Sequence, residues 1–407
     1  MSKKKLMIVG GGNLCLQVLQ ILAPRNAFDF YVAGRDAERT LRLCNLVRLA
    51  ASQLGQEIRI EPVTMNLVEQ AVERNTETLH RLRPDIILNC ASLQSWRVIT
   101  QLPKECFEHL DKAQLGPWLP MHLAPAWALM RAVHGAGIRN QLFPGLGERT
   151  VVINAAFPDA VNPVLDKLGM APDAGIGNIA NLVPATRAAI AALLRQNIQA
   201  VKVKLVGQHY FSHYVPRGGL PTNANYHLCY WVWNGKFYEE RTGEVSDQAI
   251  FEQVASQFRR LGGVDGQYLT AASAVSVVEN LHAVDEVEAH VPGIRGLPGG
   301  YPVRVGLGGV RLSLPYGITR EDAIATNLRG QRQDGIDMIH PDGRVSFGSS
   351  HMAIMEGVLG YHRSAMKVSE VAECADELGR KYREYVSRIR SQGVNSHAAK
   401  LARSSAA

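Results

Sequence analysis

The sequence lacks the features that would place the chain in a membrane, around a metal ion or on nucleic acid. No apolar stretch in its 407 residues reaches the length of about 20 that spans a bilayer. The six cysteines form no C-x-x-C pair, so we expect reduced thiols and no metal site. The net charge is +7, but the basic residues are dispersed and do not interleave with aromatics. We therefore expect no nucleic-acid partner.

The composition is typical of a soluble globular enzyme, with 46% hydrophobic and 20% charged residues. A chain of 407 residues has enough material for two or three domains. Residues 1–5 are basic, but the apolar run behind them is only as long as a strand and ends in glycines. This start does not match a signal peptide, so we expect a cytoplasmic protein.

The first 36 residues predict a strand, a glycine turn, a helix and a second strand. Residues 6–9 and 28–33 are apolar runs, each long enough for one buried parallel strand. Between them, Gly10-Gly11-Gly12-Asn13-Leu14-Cys15 leads into apolar residues at helical spacing. This is the context of a dinucleotide fingerprint, although a cysteine replaces its last glycine. We predict that the dinucleotide is bound by Gly10, Gly12, Asn13 and Leu14.

The end of the second predicted strand indicates which dinucleotide is bound. NAD enzymes usually place an acidic residue there to bind the ribose 2′-hydroxyl. This chain has Gly34-Arg35 instead, with Arg39 one helical turn later. Because a guanidinium suits a 2′-phosphate, we predict NADP(H), bound by Gly34, Arg35 and Arg39. A solvated arginine beside Asp36 is the alternative.

Two later strand ends are expected to border the cofactor. Residues 84–90 predict a strand that terminates in small and polar residues, and such ends face the ligand crevice of a doubly wound sheet. We therefore expect Asn89, Ala91 and Ser92 to pass under the ribose and nicotinamide. Residues 150–155 predict another buried strand, and its crossover brings Asp159 and Asn162 to the nicotinamide. Helix N-capping is the alternative for Asp159.

The pattern changes from residue 201, where apolar and polar residues alternate as in a half-exposed antiparallel strand. We predict the α/β class: a Rossmann-type doubly wound parallel sheet with a second, mostly antiparallel α+β substrate domain. The predicted units are an NADP(H)-binding domain at 1–155, a substrate and dimerisation domain at 156–345, C-terminal helices at 346–390 and a tail at 391–407. The apolar stripe of the C-terminal helices is expected to pack back on the first domain.

Reduction by a nicotinamide needs a proton source and a group that holds the substrate's charge. His209 and His213 are four residues apart on what the pattern predicts to be a strand, so they would point to the same side. Either histidine could supply the proton, with Asp159 as a substitute. Arg187 and Arg217 are candidates to bind a carboxylate through two parallel hydrogen bonds.

Four segments in order make residues 5–235 resemble the saccharopine dehydrogenase-like reductases. These are the glycine-rich start ending at Gly34-Arg35, the strand at 84–91, the helix end and crossover at 135–138 and 158–162, and Gly218-Gly219-Leu220-Pro221 before the aromatic strand at 230–233. The resemblance implies a Rossmann domain interrupted by an α+β substrate domain. It also implies hydride transfer between NADP(H) and a C–N bond whose substrate bears a carboxylate.

The substrate half is also similar, more weakly, to that of lactate and malate dehydrogenases. Asn162-Pro163-Val164, Gly175-Ile176-Gly177, Arg187 and Gly207-Gln208-His209 follow in the same order. This likeness implies that Arg187 grips a carboxylate and that His209 moves the proton. The aspartate that should orient the histidine has no match, because Val183-Pro184 stands near its place.

We therefore predict an NADPH-dependent, saccharopine dehydrogenase-like oxidoreductase that reduces an imine or related bond. Its substrate would be a small carboxylate or an amino-acid derivative, and the protein would be a homodimer. The alternatives are a 2-hydroxy-acid dehydrogenase of the lactate or malate type and a nucleotide-binding protein without turnover.

Overall fold

The computed structural model describes residues 3–139, 149–281 and 283–404. Six strands in these ranges form a parallel sheet in the order β3-β2-β1-β4-β5-β6. They are β1 (Lys4–Val9), β2 (Phe28–Gly34), β3 (Ile60–Thr64), β4 (Ile86–Asn89), β5 (Val151–Asn154) and β6 (Ala174–Gly175). This order, with its reversal between β1 and β4, is that of the dinucleotide-binding fold. The predicted α/β class and Rossmann-type sheet are confirmed.

Helices cover both faces of this sheet. They are α1 (Asn13–Leu22), α2 (Ala37–Gln53), α3 (Val72–Leu82), α4 (Lys104–Asp111), α5 (Leu119–Gly135) and α6 (Pro158–Asp166). In β1, Leu6 and Ile8 belong to one hydrophobic core and Met7 and Val9 to the other. A strand that buries both faces reads as a continuous apolar run, which explains the pattern at residues 6–9.

The second lobe is built on an antiparallel sheet, as predicted, in the order β10-β11-β7-β8-β9, with β12 paired to β11. Its strands are β7 (Val201–Gly207), β8 (Tyr226–Trp233), β9 (Tyr238–Glu240), β10 (Val287–Pro292), β11 (Gly300–Gly306) and β12 (Gly309–Leu312). Its helices are α7 (Ile179–Leu193), α8 (His209–Gly218), α9 (Asp247–Ser256), α10 (Gln267–Asn280) and α11 (Arg320–Gln333).

The prediction that His209 and His213 lie on a strand is wrong, because β7 ends at Gly207 and α8 begins at His209. The side chain of Gln208 accepts a hydrogen bond from the Tyr210 backbone N–H at 2.6 Å. This cap satisfies one of the free N–H groups of the first helical turn and so favours helix over strand. The two imidazoles nevertheless share a side, since residues four apart are neighbours on a helix.

The C-terminal part adds a small sheet and two helices. These elements are β13 (Ile336–Ile339), β14 (Val345–Phe347), α12 (Ser349–Leu359), β15 (Ala365–Met366) and α13 (Val371–Ser404). Tyr382 of α13 packs edge-on against Trp118, with ring centroids 5.5 Å apart, beside the start of α5. Two of the predicted domain boundaries cut through sheets of the structure. Strand β6 of the parallel sheet lies beyond residue 155, where the first domain was expected to end, and the boundary expected after residue 345 falls inside β14.

Hydrogen bonds, helix packing and an ion pair connect the two lobes beside the glycine turn. The Asn13 side chain donates hydrogen bonds to the Val264 carbonyl at 3.1 Å and to Gln267 Oε1 at 2.9 Å. Helix α10 also packs along α1, and Arg25 forms an ion pair with Glu279. None of the helices in the described ranges is long and apolar enough to cross a membrane.

Candidate active site

The glycine turn between β1 and α1 has the shape that a pyrophosphate requires. Gly10 has φ +107°, and a Cβ there would lie 2.8 Å from the Ala91 backbone nitrogen, so only glycine fits. At Gly11 and Gly12, by contrast, no heavy atom of the described chain beyond the residues next to them in sequence lies within 4 Å of the position a Cβ would take. This open space lies at the N-terminus of α1, where backbone N–H groups favour an anion. A dinucleotide therefore fits here.

Two arginines and one aspartate follow the end of β2, and only the aspartate is engaged by the described part of the chain. The Asp36 carboxylate caps α2 by accepting from the Arg39 backbone N–H at 3.0 Å. Arg35 and Arg39 are both exposed, and neither guanidinium has a hydrogen-bond or ion-pair partner in the described part of the chain. The local arrangement therefore offers positive charge, and not a free carboxylate, to whatever binds at this strand end.

A chain of buried amides runs along the carboxyl edge of the parallel sheet. Asn89 Nδ2 donates to Asn154 Oδ1 at 2.9 Å, and Asn154 Nδ2 donates to Asn162 Oδ1 at 2.9 Å. The chain continues from Asn162 Nδ2 to the Gly293 carbonyl at 3.0 Å, and Asn89 Oδ1 accepts from the Ala91 backbone N–H at 3.1 Å. The predicted cofactor residues Asn89 and Asn162 thus use their side chains to hold the backbone under the site.

A cleft of about 570 Å³ lies between the glycine turn and the second lobe. The predicted site residues that line it are Gly12, Asn13, Leu14, Ser92, His209, His213 and Arg217. The lining residues that were not predicted include Cys90, His122, Phe157, Asn178, Arg259 and Arg260. The predicted residues that do not line it are Gly10, Gly34, Arg35, Arg39, Asn89, Ala91, Asp159, Asn162 and Arg187.

His209 is held by a buried carboxylate that the sequence analysis missed. Its Nδ1 lies 3.0 Å and 3.2 Å from the two carboxylate oxygens of Asp334, which follows α11 and is 125 residues away in sequence. An ionised carboxylate only accepts, so Nδ1 carries the proton of this bond and Nε2 is left for a ligand. The Gln208 amide also donates to Asp334, at 3.1 Å, which fixes the carboxylate in turn.

The electrostatics of this pair favour the charged imidazole. Burial by itself lowers the pKa of His209, but the charge and hydrogen bond of Asp334, helped by Asp159, outweigh it and hold the pKa above its ordinary value. Burial likewise tends to raise the pKa of Asp334, whereas His209 and Gln208 hold it below its ordinary value. The pair therefore favours an imidazolium beside a carboxylate, with Nε2 as the atom that can give up a proton.

His213 sits beside His209 but is electrostatically its opposite. The two rings stack with centroids 5.3 Å apart. Burial lowers the pKa of His213 to about 4, despite its hydrogen bond to Asp111. Arg217 contacts His213 Nε2 and lies 3.6 Å from Asp111. Because His213 stays neutral, it is a poor proton donor at neutral pH, and it helps to fix the Arg217 guanidinium at the cleft.

Asp159 and Arg187 lie outside the cleft lining. Asp159 is fully buried, and burial raises its pKa to about 6. The Asn178 amide donates to one of its oxygens, while the other oxygen has no partner within the described residues. The Arg187 guanidinium donates to the Ile198 carbonyl at 2.9 Å and to Gln199, which ties it to its own lobe. Of the two predicted carboxylate-binding arginines, only Arg217 faces the cleft.

No group of three or more metal-ligating side chains occurs in the described ranges. His209 and His213 are four residues apart on one helix, but their Nδ1 and Nε2 atoms respectively are engaged by Asp334 and Arg217.

The strand order and the cleft at its carboxyl edge define a Rossmann-type α/β protein with a second, antiparallel lobe. No protein-family model matches the chain, and no curated protein sequence does. Among solved structures, the chain is similar to malate dehydrogenase from Aeropyrum pernix, with a TM-score of 0.50 and 14% identity over 81% of this chain and 97% of that one. It is also similar to lactate dehydrogenase from Cryptosporidium parvum complexed with lactic acid and nicotinamide adenine dinucleotide, with a TM-score of 0.48 and 13% identity over 82% and 99%.

At 14% identity the first likeness shows the fold, and the second, with its lower TM-score, carries no separate argument. The match to malate dehydrogenase supports the expected similarity to this group of dehydrogenases at the level of architecture. They do not show the expected membership of the saccharopine dehydrogenase-like reductases.

Proposed function

We propose that this protein is an NADP(H)-dependent oxidoreductase that interconverts a 2-oxo acid and the corresponding 2-hydroxy acid. The observation that carries the proposal is the buried His209–Asp334 pair, which faces the same cleft as the open glycine turn. A histidine whose pKa is raised by a carboxylate is the proton donor that carbonyl reduction needs. The architecture shared with malate dehydrogenase is consistent with this reaction.

The cofactor is proposed to be NADP(H). Gly11 and Gly12 leave space for the pyrophosphate at the start of α1, and the exposed Arg35 and Arg39 supply charge for a 2′-phosphate. Asp36 is occupied as a helix cap, which weakens the case for a free acid that would select NAD. When bound, the nicotinamide supplies or accepts the hydride, and the protein's own groups handle charge and protons.

Three residues in and next to the cleft bind the substrate and supply the proton. Arg217 binds the substrate carboxylate, for which a planar guanidinium is suited because it can donate two parallel hydrogen bonds. His209 gives the proton on Nε2 to the carbonyl oxygen as negative charge develops there. Asp334 keeps the imidazole oriented and stabilises its charged form, and it is not itself expected to take the proton.

Reduction of an imine is the second candidate, and one observation favours it. Two buried carboxylates, Asp159 and Asp334, both act on His209, so the acidic charge near the proton donor exceeds what a single imidazolium neutralises. An iminium carbon is electron-poor and cationic, and it would be stabilised by that excess negative charge. The similarity of residues 5–235 to saccharopine dehydrogenase-like reductases agrees with this candidate.

The test is oxidation of NADPH, followed by absorbance at 340 nm, with 2-oxo acids alone and with 2-oxo acids plus amines. Turnover without amine supports the first candidate, and turnover only with amine supports the second. Binding of NADPH without any turnover would instead support a nucleotide-binding protein. Titration of NADPH and NADH against wild type and Arg35→Ala tests the cofactor.

Arg35→Ala should weaken NADPH binding roughly 10–100-fold, because one charged hydrogen-bond partner is lost, and should leave NADH binding unchanged. Arg42→Ala is the matched control: Arg42 lies on α2, the helix that begins two residues after Arg35, is exposed and pairs with Glu38. Equal affinities of the wild type for NADPH and NADH would refute the cofactor assignment.

A further inference from the structure

His122 is a polar side chain in an almost wholly apolar helix, and nothing in the described chain satisfies it. It lies in the first turns of α5, is only 8% exposed, and lines the cleft. Neither Nδ1 nor Nε2 has a hydrogen-bond partner in the described part of the protein. Buried polar atoms are nearly always paired in native proteins, so two orphaned ring nitrogens on one cleft residue call for a ligand.

The position of His122 relates it to the proton donor. The Phe157 ring stands edge-on to both imidazoles, with centroids 6.1 Å from His122 and 5.5 Å from His209. Phe157 holds this position with φ +45°, a conformation that side-chain-bearing residues adopt at a cost. Strained backbone of this kind is retained where the surrounding structure needs one side chain in one place. His122 and His209 therefore line the same cleft, and both contact one phenyl ring.

The charge state of His122 limits the kinds of ligand group that it could bind. Burial, with a smaller contribution from nearby His209, lowers the pKa of His122 to about 4, so the ring is neutral above that pH. A neutral imidazole offers one donor and one acceptor and no charge. Arg217 and the His209–Asp334 pair already provide for the charged parts of the substrate, which leaves an uncharged hydrogen-bonding group for His122.

We propose that His122 is a substrate-binding residue that recognises an uncharged hydrogen-bonding group, such as a hydroxyl or an amide, on the part of the substrate beyond the reacting carbon. This inference rests on the proposed function, and it narrows the substrate class to 2-oxo acids, or their imines, with a polar uncharged side chain. A site that hydrogen-bonds such a group rejects an apolar analogue because its own polar atoms are then left unpaired.

The experiment compares probes of equal shape. Hydroxypyruvate is paired with 2-oxobutyrate, and 2-oxoglutaramate with 5-methyl-2-oxohexanoate, so that a hydroxyl or amide replaces a methyl or isopropyl group. With NADPH, the wild type should prefer the polar member of at least one pair by roughly 10–100-fold in kcat/KM. His122→Leu should bring that ratio close to one and leave the affinity for NADPH unchanged, and His122→Gln should restore part of the preference.

Stability separates a ligand-binding histidine from a structural one. His122→Leu removes two unsatisfied polar atoms, so the thermal midpoint of the ligand-free protein should stay the same or rise by a few degrees, roughly. His290→Leu is the matched control, since burial also keeps His290 neutral but its Nε2 accepts from the Leu205 backbone N–H at 3.0 Å. That variant should lower the midpoint and leave the probe ratio unchanged.

Three results with His122→Leu would each overturn the assignment. They are a thermal midpoint as low as that of His290→Leu, an unchanged probe ratio, and a loss of NADPH affinity, which would mean that His122 binds the cofactor. If the wild type reduces none of the probes either alone or with added amine, the proposed function fails, and the role of His122 is then read from binding. The imidazole ¹⁵N resonances of His122 must shift when a polar probe is added with NADPH present. Absence of that shift for both polar probes would also overturn it.

Discussion

Replacing Asp334 with asparagine should lower the pKa of His209 and so favour the neutral imidazole. The substitution keeps the size of the side chain and removes the negative charge that faces His209 Nδ1 at 3.0 Å. An asparagine amide can still accept one hydrogen bond through its oxygen, so the ring keeps its place. The change therefore isolates the electrostatic contribution of the carboxylate.

The size of the effect can be judged from a neighbouring residue. His122 lines the same cleft without a carboxylate partner, and burial lowers its pKa to about 4. Without Asp334, the pKa of His209 should fall toward that value but stay above it, because Asp159 still acts on the ring. A fall of about two units corresponds to about 3 kcal/mol at 1.36 kcal/mol per unit. At pH 7 only about one molecule in 10²–10³ would then carry the proton that reduction consumes, and turnover should fall by a similar factor.

The assay is the pH dependence of kcat for NADPH oxidation between pH 5 and 9. In the wild type, reduction should decline as pH rises through the raised pKa of His209, and in Asp334→Asn the decline should move about two units toward acid. Asp111→Asn is the control, because it removes the carboxylate beside His213 and leaves the His209 pair intact. If Asp334→Asn keeps the wild-type profile, the carboxylate does not set the protonation of the acid and the reasoning fails.

Stability provides an independent check on the same pair. The pKa of His209 is higher in the folded chain than its ordinary value of 6.5. Its contribution to stability is therefore complete below pH 6.5 and is lost as pH rises through the folded pKa. The free energy of unfolding of the wild type should fall relative to Asp334→Asn across that window, as measured by urea denaturation at several pH values.

The remaining predictions concern the anion site, the glycine turn and acid stability. Arg217→Met should lower kcat/KM for 2-oxo acids roughly 10–150-fold, whereas Arg187→Met, which lies outside the cleft, should change it less than about twofold; steady-state kinetics would show any reversal. Gly10→Ala should cost roughly 1–3 kcal/mol in urea unfolding because of its positive φ and contact with Ala91, and an equal cost for Gly11→Ala would contradict this. Burial lowers the pKa of His290 to about 3, so this residue alone should contribute a fall in stability of about 1.4 kcal/mol per pH unit as pH drops from 6.5. A His290→Gln variant with the same total slope as the wild type would refute its role.

Local sequence pattern was sufficient for the first lobe. The run at residues 6–9, the glycine turn and the run at 28–33 predict β1, α1 and β2 because each is encoded within a few neighbouring residues. Parallel strands buried on both faces also appear in sequence as continuous apolar runs. The alternation from residue 201 predicts the antiparallel lobe for the same local reason.

The candidate site could be predicted only in part, because its partners meet through the tertiary structure. His209 could be singled out, but Asp334 could not: it stands 125 residues away in an Asp-Gly pair that reads as an ordinary helix end. The alternating pattern before His209 favours a strand that continues through His213. Helix α8 begins there instead, with a cap that is a single side-chain contact from Gln208, and the local pattern does not reveal such a contact. His122 was missed because an apolar helix surrounds it, and only its unpaired nitrogens within the cleft mark it.

The amide chain at the carboxyl edge of the sheet has a direction, and that direction constrains how the protein can change over generations. Each asparagine donates toward the next, from Asn89 through Asn154 and Asn162 to the Gly293 carbonyl. An aspartate at position 154 would place a carboxylate oxygen beside Asn162 Oδ1, so that two acceptors would face each other. A leucine there would leave Asn89 Nδ2 and Asn162 Oδ1 buried without hydrogen-bond partners. A substitution at one of the three positions is therefore costly, whereas coordinated substitutions at all three can keep every hydrogen bond paired. In related proteins the three positions should be retained or replaced together, even where the residues that touch the substrate differ.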